Sequence, residues 1–138
     1  MFIINVGTDQ GVAANMAVIG EEGLVGHVIS VTSSTAKVQP IIDAASGVSG
    51  LTSSSRTNVV VRGQVDSDKE LKVYTLQAED ELVIGDTVET SGLGGIYPKG
   101  ITIGTIKEII ETKNVTERYA ILETKVDFKN LEYVLVIK

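Results

Sequence analysis

The chain has 138 residues, 43% of them hydrophobic and 22% charged, which is enough for one compact domain or two very small ones and too apolar for a disordered segment. Twelve Lys and Arg against eighteen Asp and Glu leave a net charge of −6, a balance that argues against nucleic acid or an anionic membrane surface as partner. Cysteine is absent and His27 is the single histidine, so a disulfide framework, a thiolate metal site and a histidine-rich zinc or iron centre are excluded, and no cofactor is expected.

Val, Ile and Thr make up 47 of the 138 residues, whereas Leu and Ala together contribute 17. β-Branched side chains lose rotamer freedom in a helix and fit a pleated surface, so the composition predicts an all-β protein. In chain order, Phe2-Ile3-Ile4 reads as the start of a strand with no polar lead-in. Strands follow near Met16–Ile19, Leu24–Val31, Lys37–Ile42, Val48–Thr52, Val59–Val65 and Leu71–Leu76. The series continues with Asp86–Thr90, Ile101–Ile110, Arg118–Val126 and Tyr133–Ile137. Turn formers punctuate them, as in Gly20-Glu21-Glu22-Gly23 and Ser53-Ser54-Ser55. No segment keeps a helical apolar period over three turns; Ala13–Asn15 and Lys129–Leu131 could each form one turn. No apolar run approaches the roughly 18 residues that cross a bilayer, and the first residues lack a signal peptide's charged and apolar regions.

An internal repeat organises these strands. Val12–Val18 aligns with Leu82–Val88, placing Asn15 opposite Gly85, and Gly26–Val31 aligns with Gly104–Ile109. The second copy is longer by eight residues in the stretch holding Ser91–Gly100. A duplicated small β unit accounts for this pattern, and two such units would pack through apolar faces as two small β-barrels. The polar stretch at 53–58 suggests a boundary, giving residues 1–55 as the first unit and 56–138 as the second. The strand within 132–138 could return to complete the first.

Catalytic and ligand motifs fail one by one. Paired small barrels also build chymotrypsin-type proteases, which need a base beside a nucleophile. Here His27 sits within an alternating strand, and Gly47-Val48-Ser49-Gly50-Leu51 breaks the Gly-x-Ser-x-Gly elbow at Leu51. Asp66-Ser67-Asp68-Lys69 starts a calcium-loop pattern and then leaves it, and the acidic runs Glu21-Glu22, Glu79-Asp80-Glu81 and Glu108/Glu111 read as solvated turns and strand ends. Gly92-Leu93-Gly94-Gly95 resembles a phosphate loop only in composition: Tyr97 stands at the last glycine position and a strand follows. Asn114-Val115-Thr116 fits a glycosylation sequon of low specificity. What remains is the glycine-rich stretch itself, which reads equally as a shaped projection for recognition on a rigid scaffold or as a strained connection whose glycines only satisfy positive φ.

Four ordered motifs resemble the rod shape-determining protein MreC family: Gly23–Val28, Ser34–Asp43, Thr90–Ile101 with Ile103-Gly104, and Val126-Asp127-Phe128 through Leu131–Ile137. The resemblance covers essentially the whole chain. It implies a β region of two small barrels on the extracytoplasmic face of the bacterial cytoplasmic membrane. In the family this region follows a cytoplasmic N-terminus, one transmembrane helix and a coiled coil, so membrane attachment is expected only through a preceding helix. It further implies a non-enzymatic scaffold of cell elongation that self-associates as dimers or longer assemblies. Its other partners would be a class B penicillin-binding protein, MreD and the MreB system. The expected contact residues are Leu93, Gly94, Gly95, Ile96, Tyr97, Pro98 and Lys99 of the glycine loop, with Leu93, Ile96 and Tyr97 projecting, and Tyr133 and Leu135 of the last strand. A peptidoglycan-binding module, poorly served by six Tyr and Phe and no Trp, and a barrel-type hydrolase are the alternatives.

Overall fold

The computed structural model describes residues 1–65, 67–77, 80–111 and 118–138. Among the described residues eleven strands form over the predicted segments: β1 (Phe2–Ile4), β2 (Ala17–Ile19), β3 (Leu24–Val31), β4 (Ala36–Pro40), β5 (Gly47–Thr52) and β6 (Asn58–Arg62). The remainder are β7 (Glu70–Thr75), β8 (Thr87–Thr90), β9 (Thr102–Ile110), β10 (Tyr119–Thr124) and β11 (Leu135–Val136). Two single 3-10 turns, Thr8–Gln10 and Phe128–Asn130, are the helical elements among the described residues. No described helix is long and apolar enough to cross a membrane.

The strands make two packed barrel-like units. One is a closed six-stranded barrel in the order β10-β7-β6-β5-β8-β9; the other is a five-stranded sheet, β1-β4-β3-β2-β11, whose ends do not meet. The first unit is therefore an open barrel. β5, grouped with that unit on sequence, pairs instead with β6 and β8 in the closed barrel. The reason is local: residues 53–58 are the polar connection between β5 and β6 rather than a linker. β11 returns to β2, with Leu135 opposite Ile19 and Val136 opposite Val18.

The sequence repeat is a repeat of hydrogen bonds. Asn15 and Gly85 both take positive φ, at 71° and 91°. Each donates its N–H to a strand carbonyl, Val28 at 2.7 Å and Ile106 at 2.8 Å. Val28 and Ile106 then donate to the carbonyls of Met16 and Asp86. Gly26 pairs with Val18 and Pro40 as Gly104 pairs with Val88 and Thr124. Both β3–β4 and β9–β10 carry a register shift just beyond these residues, a bulge that increases twist and curls the sheet.

Two apolar clusters hold the units. Val18, Val25, Val28, Ala36 and Val38 fill the open sheet. Leu71, Val73, Ile103, Ile106 and Leu122 belong to the larger cluster of the barrel, which also takes in Ala17 and Leu24 from the open sheet. Neighbouring residues of one strand, Leu24 and Val25, thus serve different cores, and this interdigitation joins the two units.

A buried carboxylate also holds this frame. The Asp86 carboxylate accepts from Ser53 Oγ at 2.5 Å, Ser54 Oγ at 2.8 Å and Ser54 N–H at 3.0 Å, tying the β5–β6 turn to the start of β8. Burial pushes its pKa up, but these donors outweigh burial and hold it below the usual carboxylate value. Asp86→Ala leaves both serines without their acceptor and is expected to cost about 2–3 kcal/mol. Denaturant titration checks this, with Ser54→Ala expected to cost less because two donors remain.

Candidate functional site

The glycine loop is the eight-residue addition to the second repeat, and its base is fixed from within. Thr90, fully buried, donates through Oγ1 to the Pro98 carbonyl at 2.5 Å and accepts from Ile101 N–H at 2.9 Å. Gly100 N–H donates to the Thr90 carbonyl at 2.9 Å. Gly94 and Gly95 take φ of 90° and 79° with open space around them, so backbone conformation and not crowding selects glycine there.

This reversal decides which side chains project. Leu93 is exposed, at 59%, and Pro98 and Lys99 are exposed beside it. Ile96 is half-buried and packs against the larger core cluster. Tyr97 does not project: it is 7% exposed and belongs to that cluster. The correction has a physical cause: left-handed glycines at 92, 94, 95 and 100 let the chain reverse tightly, and the Tyr97 ring packs into the core instead of facing solvent.

Tyr97 Oη lies 2.8 Å from His27 Nδ1, and the rings meet edge-on with centroids 5.7 Å apart. The pair joins the loop of the closed barrel to β3 of the open sheet. Burial pushes the phenol up to about 12 and lowers the imidazole pKa, so both are neutral near pH 7 and can share one hydrogen bond. His27 occupies the slot that Thr105 fills in the second repeat, as Ala17↔His27 and Thr87↔Thr105 show. Its ring therefore contacts a phenol, not a nucleophile, and the residue is a latch between units. Sequence spacing carried no signal of this contact across 70 positions.

The second candidate surface is the terminal strand. Tyr133 is 85% and Leu135 69% exposed, whereas Val134 and Val136 are half-buried against the smaller cluster. Among the described residues β11 pairs on one side, with β2. Beside it lies a groove of about 470 Å³ lined by Ile19, Leu131, Tyr133, Val134 and Leu135, with Glu21, Glu22, Asp127 and Glu132 among its walls. Two exposed surfaces therefore result, an apolar loop tip at Leu93 and the terminal strand at Tyr133 and Leu135. They share the protein core through Ile96 and Ile137. The sequon at 114–116, Asp66 and Glu79 lie outside the described residues.

The family model described as "Rod shape-determining protein MreC, barrel core" matches residues 1–138. The chain belongs to this family. It is 32% identical to the cell shape-determining protein MreC of Bacillus subtilis, over 97% of this chain and 50% of that protein. The chain thus spans about half the length of that relative. The structure of MreC from Listeria monocytogenes is similar at a TM-score of 0.87 and 30% identity, covering 97% of this chain and 65% of that one. The major periplasmic domain of the cell shape-determining filament MreC matches at a TM-score of 0.80 and 22% identity, covering 96% and 81%. A complex between the penicillin-binding protein PBP2 and MreC from Helicobacter pylori contains a chain matched at a TM-score of 0.69 and 20% identity, covering 87% and 74%. The last two likenesses concern the fold.

Proposed function

We propose that this chain is the extracytoplasmic β region of a cell-shape scaffold that works by binding. It holds a penicillin-binding transpeptidase of the elongation machinery outside the membrane, and it self-associates. Family membership over all 138 residues is the observation that carries the reading. The Helicobacter pylori complex supports the enzyme partner, and the filament from which the periplasmic domain comes supports self-association and location. A non-enzymatic role agrees with His27 being engaged by Tyr97. Contacts with MreD and the MreB system, and anchoring by a preceding helix, belong to the same reading through parts of a longer protein.

Leu93 with the flanking Gly94, Gly95, Pro98 and Lys99, and Tyr133 with Leu135, are the surfaces assigned to partners. Leu93→Asp and Leu135→Asp test them, because exposed substitutions of this kind change stability by about 0.5 kcal/mol or less. Binding to the purified extracytoplasmic domain of the cognate transpeptidase, followed by calorimetry, is expected to weaken at least tenfold for the variant on the contact surface. If both variants bind like the parent, the two surfaces are wrong. If the parent chain does not bind, the enzyme partner is wrong for this region.

A further inference from the structure

The groove beside the terminal strand has two built walls and an apolar floor. One wall is the β2–β3 turn, closed by Gly20 N–H donating to the Gly23 carbonyl at 2.8 Å, with Glu21 and Glu22 exposed on it. The other begins at Asp127, whose carboxylate caps the turn Phe128–Asn130. It accepts from Lys129 N–H at 3.1 Å and from Asn130 Nδ2 at 2.9 Å. The walls meet closely, since a Cβ added at Gly20 would lie 3.7 Å from Leu131 Cδ1. Ile19, Leu131 and Val134, all half-buried, make the floor. The space of about 470 Å³ has room for one long side chain and its neighbours.

The rim is acidic. Glu21, Glu22, Asp127 and Glu132 line the groove, and none joins an ion pair with a described residue. Lys129 pairs with Asp68 at 3.8 Å and Lys138 donates to the Gln10 carbonyl, so two cations close in sequence are directed elsewhere. The Asn130 amide, with a smaller effect from Lys69, holds Asp127 below the usual carboxylate value, and it stays charged at neutral pH. Among the described residues no three acidic side chains converge as a metal ion requires. The charge is spread along an apolar groove, which suits an extended organic cation. Tyr133 adds a third element. It lines the groove, is 85% exposed, and its ring meets no other ring and no cation among the described residues.

We propose that this groove takes an arginine of a partner protein, presented on a segment with apolar residues on both sides. Arginine has the three matching parts. Its aliphatic stem covers apolar surface, its guanidinium pairs with carboxylates in a fork, and the same flat head stacks on an aromatic face. The stem would lie on Leu131 and Val134, with the head between the acidic rim and Tyr133. A second copy of the chain is a poorer occupant. It brings the same acids and a formal charge of −6. None of its three arginines, Arg56, Arg62 and Arg118, stands between two apolar side chains in sequence. The inference deepens the proposed function: it rests on Tyr133 and Leu135 being a partner surface and names the chemistry read there.

The probe is the capped tripeptide acetyl-Leu-Arg-Leu-amide, titrated into the isotope-labelled 138-residue protein and followed by amide chemical shifts. Saturable shifts are expected, confined to residues 19–22 and 126–135. Citrulline in place of arginine keeps the side chain's shape without its charge and is expected to bind about tenfold more weakly. Lysine is expected to bind severalfold more weakly, because it lacks the planar fork. Glu132→Gln and Tyr133→Ala change exposed residues and are each expected to weaken the arginine peptide severalfold. Scattered or absent shifts, or unchanged affinity in both variants, overturn the groove as the site. Equal binding by the citrulline peptide overturns recognition by charge, and equal binding by the lysine peptide overturns the choice of arginine. Movement of the same amides when the protein alone is concentrated gives the groove to a second copy and overturns the partner. The transpeptidase domain is titrated separately: if it fails to bind while the arginine peptide still seats, the enzyme partner falls and the groove chemistry stands.

Discussion

Replacing Gly104 with alanine is expected to destabilise the protein by about 3–4 kcal/mol, in the range where overpacking forces the backbone to move. An added Cβ would stand 2.1 Å from the Glu123 carbonyl oxygen and 2.6 Å from Leu122 Cδ2. The first neighbour is backbone of the paired strand and cannot turn away. Its repeat counterpart, Gly26, would place a Cβ 2.0 Å from the Gln39 carbonyl oxygen, so Gly26→Ala should behave alike. Gly94→Ala is the control: φ is 90° and the space is open, so only the left-handed conformational cost of about 1–2 kcal/mol applies. Thermal unfolding reads the contrast directly. A melting temperature for Gly104→Ala within a few degrees of the parent would show that the two strands can separate there at little cost.

Tyr97→Ala is expected to cost about 3–4 kcal/mol, as for truncation of a buried aromatic, and Tyr97→Phe about 1 kcal/mol for the hydrogen bond alone. The difference separates the ring's packing from its contact with His27. It also means that lost partner binding in Tyr97→Ala would report a collapsed loop, whereas Leu93→Asp reports the loop surface. His27 adds a pH dependence. Its folded pKa lies below the 6.5 of the free side chain, because burial disfavours the charged form. That contribution to stability is complete above 6.5 and is lost as pH falls through the lowered value. His27→Gln should flatten the urea midpoint between pH 5 and 7, a window set by the 6.5 reference. An unchanged slope would show that the ring stays solvated.

Strand positions were readable because β-branched residues and turn formers act locally, and every predicted strand has a counterpart within two to three residues at most of its ends. The duplication was readable as well, through Asn15 and Gly85, since a left-handed turn accepts few residue types. The unit boundary misled because Ser53 and Ser54 look like linker residues. Their acceptor, Asp86, lies more than thirty positions away. Tyr97 misled for a similar reason, since its partner is in the other unit.

By itself the sequence determined the all-β class, the repeat, the family and the absence of a histidine-rich or thiolate centre. These depend on residue type, short spacing and motif order. The tertiary structure alone decided which unit closes, where the terminal strand returns, and which loop side chains meet solvent. Those outcomes depend on pairing between distant segments, where a strand can satisfy its edge in either sheet and burial selects one.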